Sequence, residues 1–319
     1  WIGFDLGCTK MIAALLDDSL KVVSRLKERT GAQDGTKAVL KRIAATIEGL
    51  ITISGVTREE IRGIGIAVPG PLDRKAGLLL NTPNLGFKRT PLRDYIEKET
   101  GFRAVLENDV NAGTYGEYIE GAGRGFSHIV GVFPGTGIGG GLILDGRLYR
   151  GAQGNAGEIG HMIIQLDGPL CGCGQYGCLE ALASRLAISK DALGLAASGK
   201  APLTYKEAGT DIKNYKSRVF ARAWEKQENS IVDLIKRSAG HLGVGLANCV
   251  NMLNPEAIIL GGGLVEKLGK PYLHEAEASM RAHGMSGMVE NVKVLIAKLG
   301  DDAVFIGAAA LARQEIEGR

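Results

Sequence analysis

Three cysteines, Cys171, Cys173 and Cys178, fall within eight residues of a glycine-rich stretch, and His161 lies ten positions upstream. Thiolate and imidazole donors at this spacing suit a tetrahedral zinc ion, with the glycines supplying the tight turns around it. Three free thiols packed as small hydrophobes fit such a loop poorly. Four protein ligands leave no open coordination position, so the ion is expected to be structural. Cys8 and Cys249 stand alone, which argues against a disulfide framework. A second candidate is Asp109, which follows Asn108 at the end of the apolar run Ala104-Val105-Leu106 and opens a helix. Parallel strands present functional groups at their carboxyl ends, so Asp109 can face a cleft as a general base. A plain helix cap is an equal local reading. Glu158 and His161, three apart, and Glu180 just past the cysteine loop are either hydroxyl acceptors or surface groups, and their nearness to the metal loop favours function.

Two glycine turns can bind phosphate, because missing side chains let backbone N–H groups converge on its oxygens. These are Asp5-Leu6-Gly7-Cys8-Thr9-Lys10 and Gly135-Thr136-Gly137-Ile138-Gly139-Gly140-Gly141, in which Thr9, Lys10 and Thr136 add side-chain donors. Glycines alone also serve bare turns. Two such turns at equivalent places carry more weight.

The elements that must position these groups read as follows. Ile2 to Leu6, Met11 to Leu16 and Leu20 to Lys27 form an opening meander, and Thr36 caps a helix through Ile51. Arg62 to Val68 returns as a buried strand, and a helix capped by Thr90 before Pro91 stops at Gly101. The layout then restarts with Ile129 to Phe133, Ile138 to Leu144 and a strand after Asp145-Gly146. A long small-residue helix spans 231–252, strand Ala257 to Leu260 precedes the Gly261-Gly262-Gly263 turn, and an alanine-rich helix closes over 304–313.

With 319 residues, 45% hydrophobic and 23% charged, the chain suits two folded lobes that close both turns around one ligand. The net charge of +3, without a basic block, points away from nucleic acid and anionic membranes and toward a small-molecule partner. No run approaches the length of a membrane span and no signal-peptide pattern opens the chain, so a cytoplasmic protein is expected.

These motifs resemble the ROK group of sugar kinases and sugar-responsive repressors, within the actin-like, ribonuclease-H-like ATPase superfamily, over nearly the whole chain. The resemblance rests on the two glycine turns, Pro83-Asn84-Leu85, Glu107-Asn108-Asp109, Gly157-Glu158-Ile159-Gly160-His161 and Cys171 through Glu180. It implies an α/β fold of two lobes with a duplicated mixed-sheet core and a zinc-pinned loop. The smaller lobe would span 1–112 plus the helix 303–319, and the larger 113–302. It also implies Asp109 as catalytic base, with Asn84, Asn108, Asp109, Glu158, His161 and Glu180 on the sugar. Asp5, Gly7, Thr9, Lys10, Gly135, Thr136, Gly137 and Gly139 would meet the nucleotide, and Gly261, Gly262 and Gly263 would lie near the adenosine. His161 would serve zinc through one ring nitrogen and sugar through the other. Cys8 stands where kinases of this group usually carry a second glycine, which implies altered nucleotide affinity.

The expected activity is ATP- and Mg²⁺-dependent phosphorylation of a free hexose, most like the bacterial glucokinases of the group, with a homodimer favoured. A kinase for N-acetylmannosamine, N-acetylglucosamine, fructose or allose shares most motifs. A sugar-sensing repressor is the rival from another class, disfavoured because the first strand starts at residue 2 and both phosphate turns are present. Gly137→Val is expected to weaken nucleotide binding while sparing the sugar.

Overall fold

The structure, a computed structural model, describes residues 1–82 and 85–318. Two compact units emerge: Trp1–Arg124, Leu148–Ala156 and Asp301–Arg319 form the first, and Gly125–Arg147 with Gly157–Gly300 form the second.

In the first unit, β1 (Ile2–Leu6), β2 (Lys10–Leu16) and β3 (Val22–Arg29) make the expected meander. Apart from Asp5, β1 is apolar and fully buried, whereas β3 alternates as an edge strand does. Helix α1 (Thr36–Ser54) buries Val39, Ile43, Ile47 and Leu50 on one face. Thr36 is not its cap. Gly35 takes that place with φ 87°, which a β-branched residue avoids, and the Thr36 hydroxyl donates to the Gly86 carbonyl (3.1 Å). β4 (Ile64–Val68) follows, and then a small antiparallel sheet of β5 (Leu72–Asp73), β6 (Leu78–Thr82) and β7 (Phe87–Thr90) that the sequence pattern concealed. Thr90, expected to cap α2 (Leu92–Thr100), ends β7 instead and Pro91 holds the cap position. β8 (Ala104–Asn108) leads into α3 (Asp109–Glu120).

The second unit begins with β9 (Ile129–Pro134), β10 (Ile138–Leu144) and β11 (Arg147–Tyr149). Five helices follow, α4 (Leu179–Ala183), α5 (Arg185–Ala197), α6 (Pro202–Ala208), α7 (Ser217–Glu225) and the long α8 (Asn229–Leu253). Then come β12 (Ala257–Leu260), α9 (Gly262–Leu268), α10 (Lys270–His283) and β13 (Lys293–Ile296). The last helix, α11 (Asp302–Glu317), belongs to the first unit.

The duplicated layout is present as topology. One sheet runs β3-β2-β1-β4-β8 and the other β11-β10-β9-β12-β13. In each, the first strand pairs antiparallel with the second and parallel with the strand that follows the meander. Each glycine turn therefore joins the same two strands of its sheet.

Helix α11 lies unusually close to its own sheet. A Cβ on Gly3 of β1 would stand 2.0 Å from the Phe305 carbonyl, and one on Gly65 of β4 1.9 Å from that of Ala308. Gly116 of α3 likewise abuts the Ala303 carbonyl, and Gly307 that of Ala112. Glycine is required at these places because backbone meets backbone. The lobe boundary expected between 112 and 113 falls inside α3, whose packing on α11 keeps it within the first unit, which runs on to Arg124.

Candidate active site

In the first unit, β1, β4 and β8 are parallel neighbours, so Asp5, Ala67 and Glu107 share one register row near their carboxyl ends. Asn108 ends β8, and its Oδ1 accepts from the amides of Val110 (2.9 Å) and Asn111 (3.1 Å). The capping duty that could have explained Asp109 therefore falls to Asn108. Asp109 opens α3, with Oδ1 accepting from the Val110 amide (2.9 Å). Burial, and next the Asp109 charge, push the Asp5 carboxyl up from 3.8 to about 7. Two expected site carboxylates thus stand within electrostatic reach at one end of the sheet.

The turn after Asp5 is closed by glycine: a Cβ at Gly7 would stand 2.6 Å from the Lys10 carbonyl. Thr30 ties the turn down, its hydroxyl donating to the Gly7 carbonyl (2.6 Å) and its amide to that of Thr9 (3.0 Å). Cys8 and Thr9 are exposed. Cys8 is not among the positive-φ residues, so no backbone demand for glycine exists there. Burial, then the charges of Asp109 and Asp5, raise its thiol. Lys10, expected as a phosphate donor, is ion-paired with Asp301.

Sequence reasoning missed the support beneath this site. Glu107 is 1% exposed, and its Oε2 receives Arg150 Nε (2.7 Å) and Arg74 Nε (3.2 Å). Its Oε1 accepts from the Asn108 amide (3.1 Å) and Asn111 Nδ2 (3.2 Å). A carboxylate inside an otherwise apolar strand must find partners, and that was the available signal. Asn84, expected on the sugar, lies outside the described residues.

In the second unit, one donor atom each from His161, Cys171, Cys173 and Cys178 gather within 4.8 Å of one another. Cys173 Sγ is 3.7 Å from Cys178 Sγ, and Cys171 Sγ is 3.7 Å from His161 Nδ1. Zinc–sulfur bonds of about 2.3 Å at tetrahedral angles imply donors ~3.8 Å apart, so the cluster fits that ion. Burial pushes the Cys178 thiol up to about 12 and raises Cys171, so thiolates there call for a cation beside them. Short bridges Ile163–Cys178 and Leu170–Tyr176 fold the loop on itself. His161 turns its other nitrogen, Nε2, toward Glu158 Oε2 (3.9 Å).

Glu180 is the second residue of α4, whose Leu179 packs against Gly245 of α8. Its Oε2 accepts from the Ile138 amide (2.9 Å), and a Cβ on Gly137 would stand 2.2 Å from that oxygen. The carboxylate expected on the sugar and the glycine turn are therefore in direct contact. The turn itself is Gly135-Thr136-Gly137, since Gly139 already pairs with Phe133 in the ladder. Gly140 is dictated by packing, as a Cβ there would meet Ile159 (2.5 Å) and the Gly157 carbonyl (2.6 Å). Gly261 and Gly262 press on Phe133 and Pro134 at the end of β9, and Gly262 takes φ 81°. A cavity of about 630 Å³ adjoins Gly263, with apolar Leu186 and Ile212 and the cations Arg185, Lys216 and Lys267 in its wall. Apolar walls with a cationic rim suit a base carrying phosphates.

The ROK family matches residues 1–315. The glucokinase of Thermotoga maritima is 35% identical over 99% of this chain and 98% of its own. A ROK family glucokinase from Streptomyces griseus, solved with glucose and AMPPNP, is 33% identical with a TM-score of 0.84, covering 98% of this chain and 99% of that one. The xylose repressor of Caldicellulosiruptor bescii is 30% identical over 97% of this chain but 77% of its own.

Proposed function

The chain belongs to the ROK family, and on that premise we propose that it is an ATP-dependent hexose kinase that converts glucose to glucose 6-phosphate. The observation that carries this reading is Asp109, which stands beside Asp5 at the carboxyl end of the sheet while Asn108 takes the capping role.

Phosphoryl transfer passes through a loose transition state, so the protein mainly aligns the attacking hydroxyl and offsets charge on the phosphate oxygens. Asp109 takes the proton from the sugar hydroxyl as it attacks the γ-phosphate. Asn84, Asn108, Glu158, His161 and Glu180 bind the other hydroxyls, and an analogue lacking one would leave a polar group unpaired. Asp5, Gly7, Thr9 and Lys10 meet the phosphates from the first turn; for Lys10 this means exchanging Asp301 for phosphate. Gly135, Thr136, Gly137 and Gly139 do so from the second, and Gly261, Gly262 and Gly263 border the adenosine. Mg²⁺ would supply positive charge to the donor's phosphates, and Asp5, held up at about 7 partly by Asp109, is the carboxylate a cation would return to its charged form. Zinc on His161, Cys171, Cys173 and Cys178 would fix the loop that carries His161 toward Glu158 and leads into Glu180.

The family resemblance supports a homodimer, and a metal held by reduced thiols supports a cytoplasmic location. No helix of the described residues is long and apolar enough to cross a membrane. Release of ADP over a panel of glucose, fructose, allose, N-acetylglucosamine and N-acetylmannosamine, with ATP and Mg²⁺, tests the activity. Preference for another sugar would replace glucose, and no turnover with any would sink the kinase reading. Elemental analysis of gently purified protein should find one zinc per chain.

A further inference from the structure

Arg185 is the first residue of α5, and neither its type nor its place marks it in the sequence as part of a phosphate site. In the structure it holds the second turn at two atoms. Its backbone amide donates to the Gly135 carbonyl (2.9 Å), and its guanidinium Nη2 to Thr136 Oγ1 (2.6 Å). Nη1 anchors the fork from behind on the Tyr215 carbonyl (3.1 Å), which also accepts from Ser189 Oγ (3.0 Å). The next amide, Leu186, leans on the Thr136 carbonyl at 3.4 Å. First-turn amides of a helix have no partner within it; here the turn's carbonyls supply partners. Ser184 caps the same helix through the Ala187 amide (3.1 Å).

The consequence is one of hydrogen-bond direction. A threonine hydroxyl has one proton to give and two lone pairs. A guanidinium has donors only, so the 2.6 Å contact obliges Thr136 Oγ1 to act as acceptor toward Arg185. The hydroxyl proton must then point elsewhere. We propose that Arg185 is a positioning residue for phosphoryl donors: by occupying a lone pair of Thr136 it turns that hydroxyl into a committed donor toward a phosphate oxygen. This rests on the reading of Gly135-Thr136-Gly137 as a phosphate turn. Lysine, with one short-range cation in place of a planar fork, cannot serve Thr136 and Tyr215 in the same geometry.

The test is binding of AMPPNP, measured by calorimetry on the whole chain with Mg²⁺, together with steady-state kinetics. Arg185→Gln should weaken AMPPNP binding and raise KM for ATP about tenfold, the scale of one charge-assisted hydrogen bond, while KM for glucose moves by less than about twofold. In a Thr136→Ala background the same change should add almost nothing, because its effect travels through that hydroxyl. Arg185→Lys should fall between the two. A lowered melting temperature with wild-type AMPPNP affinity would reduce Arg185 to a staple for the Tyr215 segment and overturn the proposal. Additive losses in the double variant would overturn it as well, showing that the guanidinium touches the nucleotide directly. If wild type bound glucose but no AMPPNP, the phosphate-turn reading would fall first and this inference with it.

Discussion

The two glycine turns occupy the same position in two sheets of the same strand order, yet they are made differently. The first is held by one hydroxyl and one amide of Thr30, carries the exposed Cys8 and Thr9, and stands among the ionisable groups Asp5, Asp109, Lys10 and Asp301. The second is wedged between Glu180 on one side and Arg185 on the other, and a side chain at Gly137 would have to displace the Glu180 carboxylate. The duplicated framework fixes where a turn falls and leaves its chemistry open. One turn gathers ionisable groups suited to proton transfer and metal-bound phosphate, and the other is a rigid clamp.

The largest expected effect tests the chemical role of the first region. Asp109→Asn keeps shape and one acceptor oxygen but cannot take a proton, and a positioned general base contributes ~10²–10⁴-fold. Turnover should fall by that factor with glucose affinity changed far less, as steady-state kinetics and calorimetry can separate. Retention of more than about a tenth of the turnover would remove the chemical distinction between the turns.

The clamp is probed by Gly137→Val. From sequence alone this change is expected to harm the nucleotide and spare the sugar. The structure alters that expectation, because the new Cβ falls 2.2 Å from Glu180 Oε2. Overpacking at this scale costs about 1–3 kcal/mol, so both ligands should weaken by roughly tenfold in separate titrations. Damage to the nucleotide alone would mean that Glu180 yields without consequence.

A smaller effect follows from Asp5. Its carboxyl is raised on folding from 3.8 to about 7 by burial and by Asp109. In that window the folded state holds a proton that the unfolded state has lost, so stability is full at low pH and declines as pH rises toward about 7. Thermal melts of the apo protein should show this decline in wild type and a flatter profile in Asp5→Asn. Parallel profiles would mean that Asp5 does not carry the burden assigned to it. The smallest effect belongs to Cys8→Gly: an exposed residue of ordinary backbone should tolerate exchange within about 0.5 kcal/mol, leaving KM for ATP within roughly twofold. A large gain in affinity would show that backbone approach at Cys8 was limiting after all.

Much of this was legible in the sequence where local pattern and chemistry coincide. The strands Ile2–Leu6, Ile138–Leu144 and Ala257–Leu260 are bounded as their apolar runs imply, and the three cysteines with His161 do converge. The small sheet of β5 to β7 was not legible, since its strands are short and carry no sustained alternation. Nor were the caps at Gly35 and Pro91, where a neighbouring threonine looked the better candidate by composition. Within the site, sequence named the groups proposed to touch ligands and missed those that hold them in place. Glu107 with Arg74 and Arg150, and Arg185 with Thr136, are pairings between residues far apart in the chain, which no local window contains.

The glycine contacts between α11 and its sheet bear on the order of events during synthesis. Gly3 and Gly65 meet the backbone of Phe305 and Ala308, partners from opposite ends of the chain. Loop closure over such separations is slow, and the surface that α11 covers on β1 and β4 stays open until the last helix leaves the ribosome. Apart from its hand-over at Leu148–Ala156, the second unit is continuous from Gly125 to Gly300 and has every residue it needs earlier. The unit that holds β1 is therefore completed only after the second, and protease sensitivity of ribosome-stalled chains should persist in β1 and β4 until α11 emerges.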